Sequence, residues 1–377
     1  MASNKIMNKK SRITLVVALV MILAIGSMSY YYLSNKSQRF EDILVFGDSL
    51  SDVGNFYIIN DKKDPKEPYY EGRFSNGPVW IEVFAEKMGL PAVKPSLAGG
   101  KNYAFGGART GIGDREGKPD IGSQIDEYLK KTNGKIEKRQ LIVVSGGCND
   151  FLKGNPIKTI PNTIRNIEKL TKAGGKTFLV SNFPPLGCLP AFKHELPLII
   201  EASLVECLEC AVDPQIQKYL ESKVGTRIAN YLKKWIPSVK EYLPSLKRSL
   251  PGIAEEFAKH LSTHTGSEIT FENIGLFALN SATDISQMYN DYLRLALEDL
   301  QRRYKIKIYQ LDLNKIFQEI VDNPQKFGIE YIDVSALDPA THELIAGDVN
   351  HYLFFDAVHP VSKTHKVIGE SASKLFK

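Results

Sequence analysis

Ser49, Asn149, Asp356 and His359 are residue types that can carry nucleophilic catalysis if a fold brings them together. A serine hydroxyl becomes a nucleophile when a base takes its proton. Histidine is the side chain best matched to that task near neutral pH. A carboxylate beside it can fix the tautomer of the imidazole and stabilise the imidazolium. Asp356 and His359 stand three apart, so one tight or helical turn can bring their side chains together. Asn149 carries two amide N–H donors, suited to the oxyanion that develops when a carbonyl is attacked. The adjacent Gly106 and Gly107 can offer a main-chain N–H to the same oxygen, because glycine lets a backbone approach a ligand closely. Taken singly, each motif also has an ordinary reading. Gly47-Asp-Ser49, Gly106-Gly107 and Gly146-Gly-Cys-Asn149 are turn formers, and an Asp-x-x-His spacing arises by chance.

The elements that must position these residues are visible in the hydrophobic pattern. The apolar run Ile43–Phe46 reads as a buried parallel strand that stops at Gly47, leaving Ser49 just past its end. Asn102–Ala108 reads as a short strand running into the paired glycines, and Gln140–Ser145 as a fully buried strand running into Asn149. Lys176–Ser181 and Lys305–Leu311 are further strands, the last with the alternation of an edge. Helical spacing appears over Val79–Met88, behind a well-placed Pro78, and over Ile121–Lys131. It recurs in a helix ending near Ala173, and over Ile285–Arg303, Leu313–Val321 and about Lys363–Phe376. Strands alternating with helices predict an α/β protein with a doubly wound parallel sheet. Ligands of such sheets sit beyond the carboxyl ends of the strands, where Ser49 and Asn149 fall.

The rest of the chain bounds the class. Its 377 residues suffice for one large domain with an insertion, and a net charge of +5 without a dense basic cluster argues against a nucleic-acid partner. Lys5, Lys9, Lys10 and Arg12 precede an uncharged apolar run from Ile13 to about Leu33. Residues 1–33 therefore read as a cleaved signal peptide or a retained membrane anchor, with 34–39 as a linker and 40–377 exported. From about Lys193 to Asn280 the strand–helix rhythm breaks, and no strand is evident until the short Glu268–Phe271. This stretch is helical in character and Lys-rich, with Tyr219, Tyr231, Trp235 and Tyr242 interleaved. It reads either as a subdomain with a solvated charged face or as a cap that holds the protein at an anionic membrane. Export permits disulfides, so Cys207 and Cys210 could form a small local bridge, and their spacing with that of His260 and His264 is also ligand-like for zinc. Cys148 reads as packing, and His194, His342, His351 and His365 as surface or loop residues.

Four motifs in one order carry more than any of them alone. Gly47-Asp-Ser-Leu50, Asn102-Tyr-Ala-Phe-Gly-Gly-Ala108, Gly147-Cys-Asn-Asp150 and Asp356-Ala-Val-His359 together resemble the GDSL, or SGNH, family of lipases and esterases. Gly72-Arg-Phe-Ser-Asn-Gly77 is similar to the long branch that includes plant GDSL lipases and secreted bacterial phospholipases. The resemblance implies a three-layer α/β/α sandwich with a flavodoxin-like parallel sheet. It implies Ser49 as nucleophile, His359 as its base and Asp356 as the residue that orients the base. The oxyanion donors would be the N–H of Ser49, Gly107 with Gly106 as the adjacent alternative, and the Asn149 amide. The implied activity is hydrolysis of lipid esters through a seryl acyl-enzyme, with phospholipids or lysophospholipids as substrates, acyl transfer as a variant, and no metal or cofactor. A carboxylesterase for small or sugar esters and a non-catalytic lipid-binding protein are the alternatives. About 85 residues separate the Asn182–Pro190 loop from the helix bearing Tyr289–Leu293, where the family has a short connection, as a lid or regulatory insertion would.

Overall fold

The structure is a computed structural model. It describes residues 40–191 and 271–376, apart from 116, 154–155, 340 and 346, together with Met21 and Ser27. The predicted signal or anchor, the linker and most of the predicted insertion, with Cys207, Cys210, His260 and His264, lie outside the described residues. Among the described residues no helix is long and apolar enough to cross a membrane.

Four parallel strands form the centre: β1 (Asp42–Gly47), β4 (Gln140–Ser145), β5 (Thr177–Ser181) and β6 (Lys307–Leu311), in the order β1-β4-β5-β6. Two-residue strands β2 (Asp114–Arg115) and β3 (Lys118–Pro119) pair separately as a hairpin. The predicted strand at Asn102 is not regular. It makes one parallel bridge to Val45, extended by bonds from Tyr103 N–H to Val45 O and from Phe105 N–H to Gly47 O. That places the 102–105 segment on the free side of β1, so the spatial order is that of flavodoxin-like sheets, with the switch point between β1 and β4.

The strands are apolar on both faces, and their alternation assigns each side chain to a layer. Ile43, Val45, Leu141, Val143 and Leu179 face one core, shared with α2 (Trp80–Met88), α7 (Leu313–Asp322) and α8 (Ser362–Lys374). Leu44, Phe46, Ile142, Val144, Phe178 and Val180 face the other, shared with α3 (Ile121–Lys131), α5 (Thr159–Lys172) and α6 (Phe271–Tyr304). The result is the three-layer α/β/α sandwich. A short helix α1 (Asn55–Ile59) follows the Ser49 turn, and α4 (Cys148–Lys153) follows β4.

Three expectations need correction. Phe271, expected to end a strand, opens α6 instead, and this helix starts 14 positions before Ile285. The helix expected from Ile285 thus begins inside the predicted insertion, and Asn280–Asp284 lie within it. A second parallel pair, β7 (Tyr331–Ser335) with β8 (Tyr352–Phe354), was not evident in the sequence and leads directly into Asp356. His365 is fully buried on α8, where its Nδ1 accepts a hydrogen bond from Trp80 N–H at the start of α2. Burial pushes its pKa down to about 3, so it is a neutral core residue.

Candidate active site

The Ser49 turn is held from below and from its own sequence. Gly47, the last residue of β1, lies in register with Ser145 of β4, and a Cβ there would meet Ser145 O at 2.5 Å. Only glycine fits so close an approach. The Gln124 amide clamps this glycine, its Oε1 accepting from Gly47 N–H at 3.0 Å and its Nε2 donating to Gly47 O at 2.9 Å. Asp52 accepts N–H bonds from Gly54, Asn55, Phe56 and Gly106 at 2.7–3.0 Å. Asn55, fully buried, donates to Asn102 O and Ala104 O and accepts from Leu97 N–H and Ser96 Oγ. These bonds weld the Ser49 turn to the segment that carries Gly107.

The other half comes from the chain end. Phe354 and Pro360 bridge across a turn in which Asp356 Oδ1 accepts from Val358 N–H at 2.9 Å and His359 N–H at 2.7 Å. The turn is pinned by the 72–77 segment. Ser75 Oγ donates to Pro360 O at 2.9 Å, Asn76 Oδ1 accepts from Ser362 N–H at 2.7 Å, and the Phe74 ring stacks on the His359 ring with centroids 5.0 Å apart.

The two halves meet in one relay. His359 Nδ1 lies 2.6 Å from Asp356 Oδ2, and His359 Nε2 lies 2.8 Å from Ser49 Oγ. Burial raises the Asp356 carboxyl, but the His359 ring, with hydrogen bonds from it, from Tyr69 and from Val358 N–H, outweighs that and holds it below the usual carboxylate range. An ionised carboxylate only accepts, so Nδ1 carries the ring proton and the Nε2 lone pair faces the serine hydroxyl. That is the tautomer a general base requires. Ser49 itself is 7% exposed, at the floor of the site.

Of the paired glycines, Gly106 commits its N–H to Asp52 Oδ2 at 3.0 Å. Gly107 has φ 75°, and a Cβ added there would meet nothing within 4 Å, so it faces open space. Asn149 opens off the end of β4 in α4, half-buried, with Nδ2 donating to Ala108 O at 3.0 Å. Its neighbour Asp150 accepts from both Thr110 N–H and Thr110 Oγ, fastening the segment after Gly107 to the start of α4. Ser49, Gly107 and Asn149 thus project from the carboxyl ends of neighbouring sheet segments, and Asp356 and His359 come in from beyond β8. Such an arrangement can deprotonate an alcohol, attack a carbonyl and hold the resulting oxyanion.

Sequence reasoning missed Tyr69, Phe74 and Gln124. A polar Gln on the apolar face of α3, between Ile121 and Ile125, was a usable signal for the last. Phe74 lies within the Gly72–Gly77 motif, but nothing there foretells its stacking on His359, and no local signal marks Tyr69. Cys148 and Cys188 both pack against the core, and burial together with the nearby Asp48 pushes the Cys148 thiol well up. Among the described residues no group of His, Cys, Asp and Glu could hold a metal ion.

Comparison with known proteins gives this geometry a context. The chain is 30% identical over 184 residues to the thermolabile hemolysin of Vibrio parahaemolyticus, a match covering 46% of this chain and 41% of that protein. It is 28% identical over 177 residues to the phosphatidylcholine-sterol acyltransferase of Aeromonas hydrophila, covering 45% and 52%. It is 27% identical over 185 residues to inactive GDSL esterase/lipase-like protein 25 of Arabidopsis thaliana, covering 41% and 44%. The chain thus spans about half the length of these relatives. The family model for GDSL-like lipase/acylhydrolase matches residues 43–250. That match takes in Ser49, Gly107 and Asn149 in order and stops before Asp356 and His359, which the fold itself returns to Ser49. Covering more than half of the sequence, it settles the question of kinship: the chain belongs to the GDSL-like lipase/acylhydrolase family.

Proposed function

We propose that this protein is a lipolytic serine ester hydrolase of the phospholipase or lysophospholipase type. The single observation that carries the reading is the Ser49–His359–Asp356 relay at 2.8 and 2.6 Å. Ser49 Oγ attacks the ester carbonyl while His359 Nε2 takes its proton, and Asp356 stabilises the imidazolium. The N–H groups of Ser49 and Gly107 and the Asn149 amide take the oxyanion. Collapse expels the alcohol, which leaves with the proton from His359. Water, deprotonated by the same nitrogen, then attacks the seryl ester and releases the fatty acid. An alcohol in place of water would give acyl transfer instead, and the similarity to an enzyme named as an acyltransferase supports that variant.

A carboxylesterase acting on small or sugar esters would use the same residues. The non-catalytic alternative has a specific observation behind it, since one relative is named as inactive. Membership alone therefore does not carry activity, and the assembled relay is what favours an enzyme. The basic and apolar stretch Lys5–Leu33 supports export, with residues 40–377 as the catalytic unit.

Hydrolysis of p-nitrophenyl butyrate by the purified protein tests the reading. Ser49→Ala and His359→Ala should each lower kcat by ~10⁴-fold or more, because members of such a relay act as a unit. Asn149→Ala should lower it by ~10²–10³-fold with little change in KM. A folded Ser49→Ala protein that keeps more than a few per cent of wild-type activity would refute the assignment. A panel of lipid classes with products identified by mass then distinguishes phospholipid from small-ester substrates.

A further inference from the structure

We propose that Tyr69 is a positioning residue for the acyl-transfer machinery, its hydroxyl sharing the Asp356 oxygen that the His359 ring uses. The proposal rests on the serine-hydrolase reading above. The Tyr69 hydroxyl donates to Asp356 Oδ2 at 2.7 Å, and His359 Nδ1 approaches the same oxygen at 2.6 Å. Oδ1 accepts from Val358 N–H and His359 N–H. A carboxylate offers about four acceptor sites, so Tyr69 supplies the last donor and fixes the plane of the group.

The ring holds that hydroxyl in place. It meets Phe355 edge-on at 5.0 Å and Phe74 at 6.3 Å, and Phe74 in turn stacks on the imidazole. Tyr69 therefore touches the acid directly and the base through Phe74. Burial and the Asp356 charge push the phenol well above its usual range, so it stays a donor wherever the protein is folded.

This arrangement has a chemical consequence beyond geometry. A donor on Oδ2 draws charge away from the contact with His359 and tempers how strongly Asp356 favours the imidazolium. The other titratable groups around the pair are Asp48 beside the nucleophile, His365 behind the turn on α8, and Asp64 near the Tyr69 ring. None of these three donates to Asp356 Oδ2 among the bonds of the described residues.

The test compares wild type, Tyr69→Phe and Tyr69→Leu for p-nitrophenyl butyrate hydrolysis from pH ~5 to ~9, the range in which histidine titrates. Tyr69→Phe keeps the ring contacts and loses only the hydroxyl. Its kcat/KM should fall about tenfold, carried by kcat, because Asp356 loses the donor that fixes its plane against the imidazole. The acid limb of the profile should move to higher pH, because an undivided Asp356 charge holds the imidazolium more firmly. Tyr69→Leu should move the limb the same way and also lower the melting temperature. A merely structural tyrosine would loosen the Asp356–His359 contact and leave the limb in place or move it to lower pH. Either of those outcomes overturns the proposal, whatever the rate does. Labelling of Ser49 by a fluorophosphonate separates the two readings. A wild type that is neither labelled nor active refutes the serine-hydrolase reading and the proposal with it. A labelled, active wild type whose Tyr69→Phe form is indistinguishable from it overturns only the role of Tyr69.

Discussion

The Ser49 turn and the Asp356–His359 turn face each other across one relay but are held by different means. The Ser49 turn is braced by buried amides and carboxylates acting on backbone: Asp52 on four N–H groups, Asn55 on two carbonyls, Gln124 on both polar atoms of Gly47. The Asp356–His359 turn is braced by one local carboxylate and a set of distant side chains, two of them aromatic. In the proposed mechanism Ser49 needs a fixed position relative to the oxyanion donors, and backbone welding achieves that. The base must pass a proton both ways, and packing against ring faces fixes its plane without adding a competing hydrogen-bond partner to Nε2.

The contrast can be broken at each end. The largest effect should come from Asn55→Ala. It leaves the buried Ala104 O and Ser96 Oγ without the Asn55 side chain and takes one bond each from Asn102 O and Leu97 N–H, at about 3–5 kcal/mol of stability. Urea unfolding measures it, and a loss under about 1 kcal/mol would show that the weld is not what holds the turn. Ser75→Ala removes one buried bond to Pro360 O and should cost only about 1–2 kcal/mol in the same assay, because the aromatic packing on His359 remains.

The smallest effect is a difference in sign with pH. Burial pushes Asp48, next to the nucleophile, from 3.8 up to about 6, an effect partly offset by Leu50 N–H and His359. Its contribution to stability is therefore present below the unfolded value and lost as pH rises through about 6. Asp356 is shifted down, so its contribution is present above the unfolded value and lost as pH falls through the lowered one. Melting temperatures of Asp48→Asn and Asp356→Asn against wild type should thus diverge in opposite directions with pH. Differences that stay constant across pH would remove proton linkage from the comparison.

The same contrast explains what the sequence made legible. The Ser49 turn could be read because Asp48, Asp52, Gly54 and Asn55 lie within a few residues of the nucleophile, and the strand before it is an unbroken apolar run. That Gly106 N–H is occupied could not be read there, since its bond comes from Asp52, 54 positions away. Asp356 and His359 were legible as a pair, but their supports were not: Tyr69 reaches Asp356 across 287 positions, and Ser75 reaches Pro360 across 285. His365 is buried because its helical phase sets it one turn before Ile368 and two before Ala372, a phase that its polarity masks in the sequence. The pair β7 and β8 escaped because both strands are short and only β8 is apolar throughout.

One backbone bond has a practical meaning for anyone who would re-engineer this chain. Ala191, the last described residue before the long stretch that precedes α6, donates its N–H to Ala357 O at 2.8 Å, between Asp356 and His359. The polypeptide therefore leaves the sheet by way of the peptide that carries the base. A splice, tag or exchanged segment placed after Ala191 spares this hinge pin, whereas one placed a few residues earlier would draw it out. One backbone hydrogen bond therefore separates a segment exchanged after position 191 from the turn that carries His359.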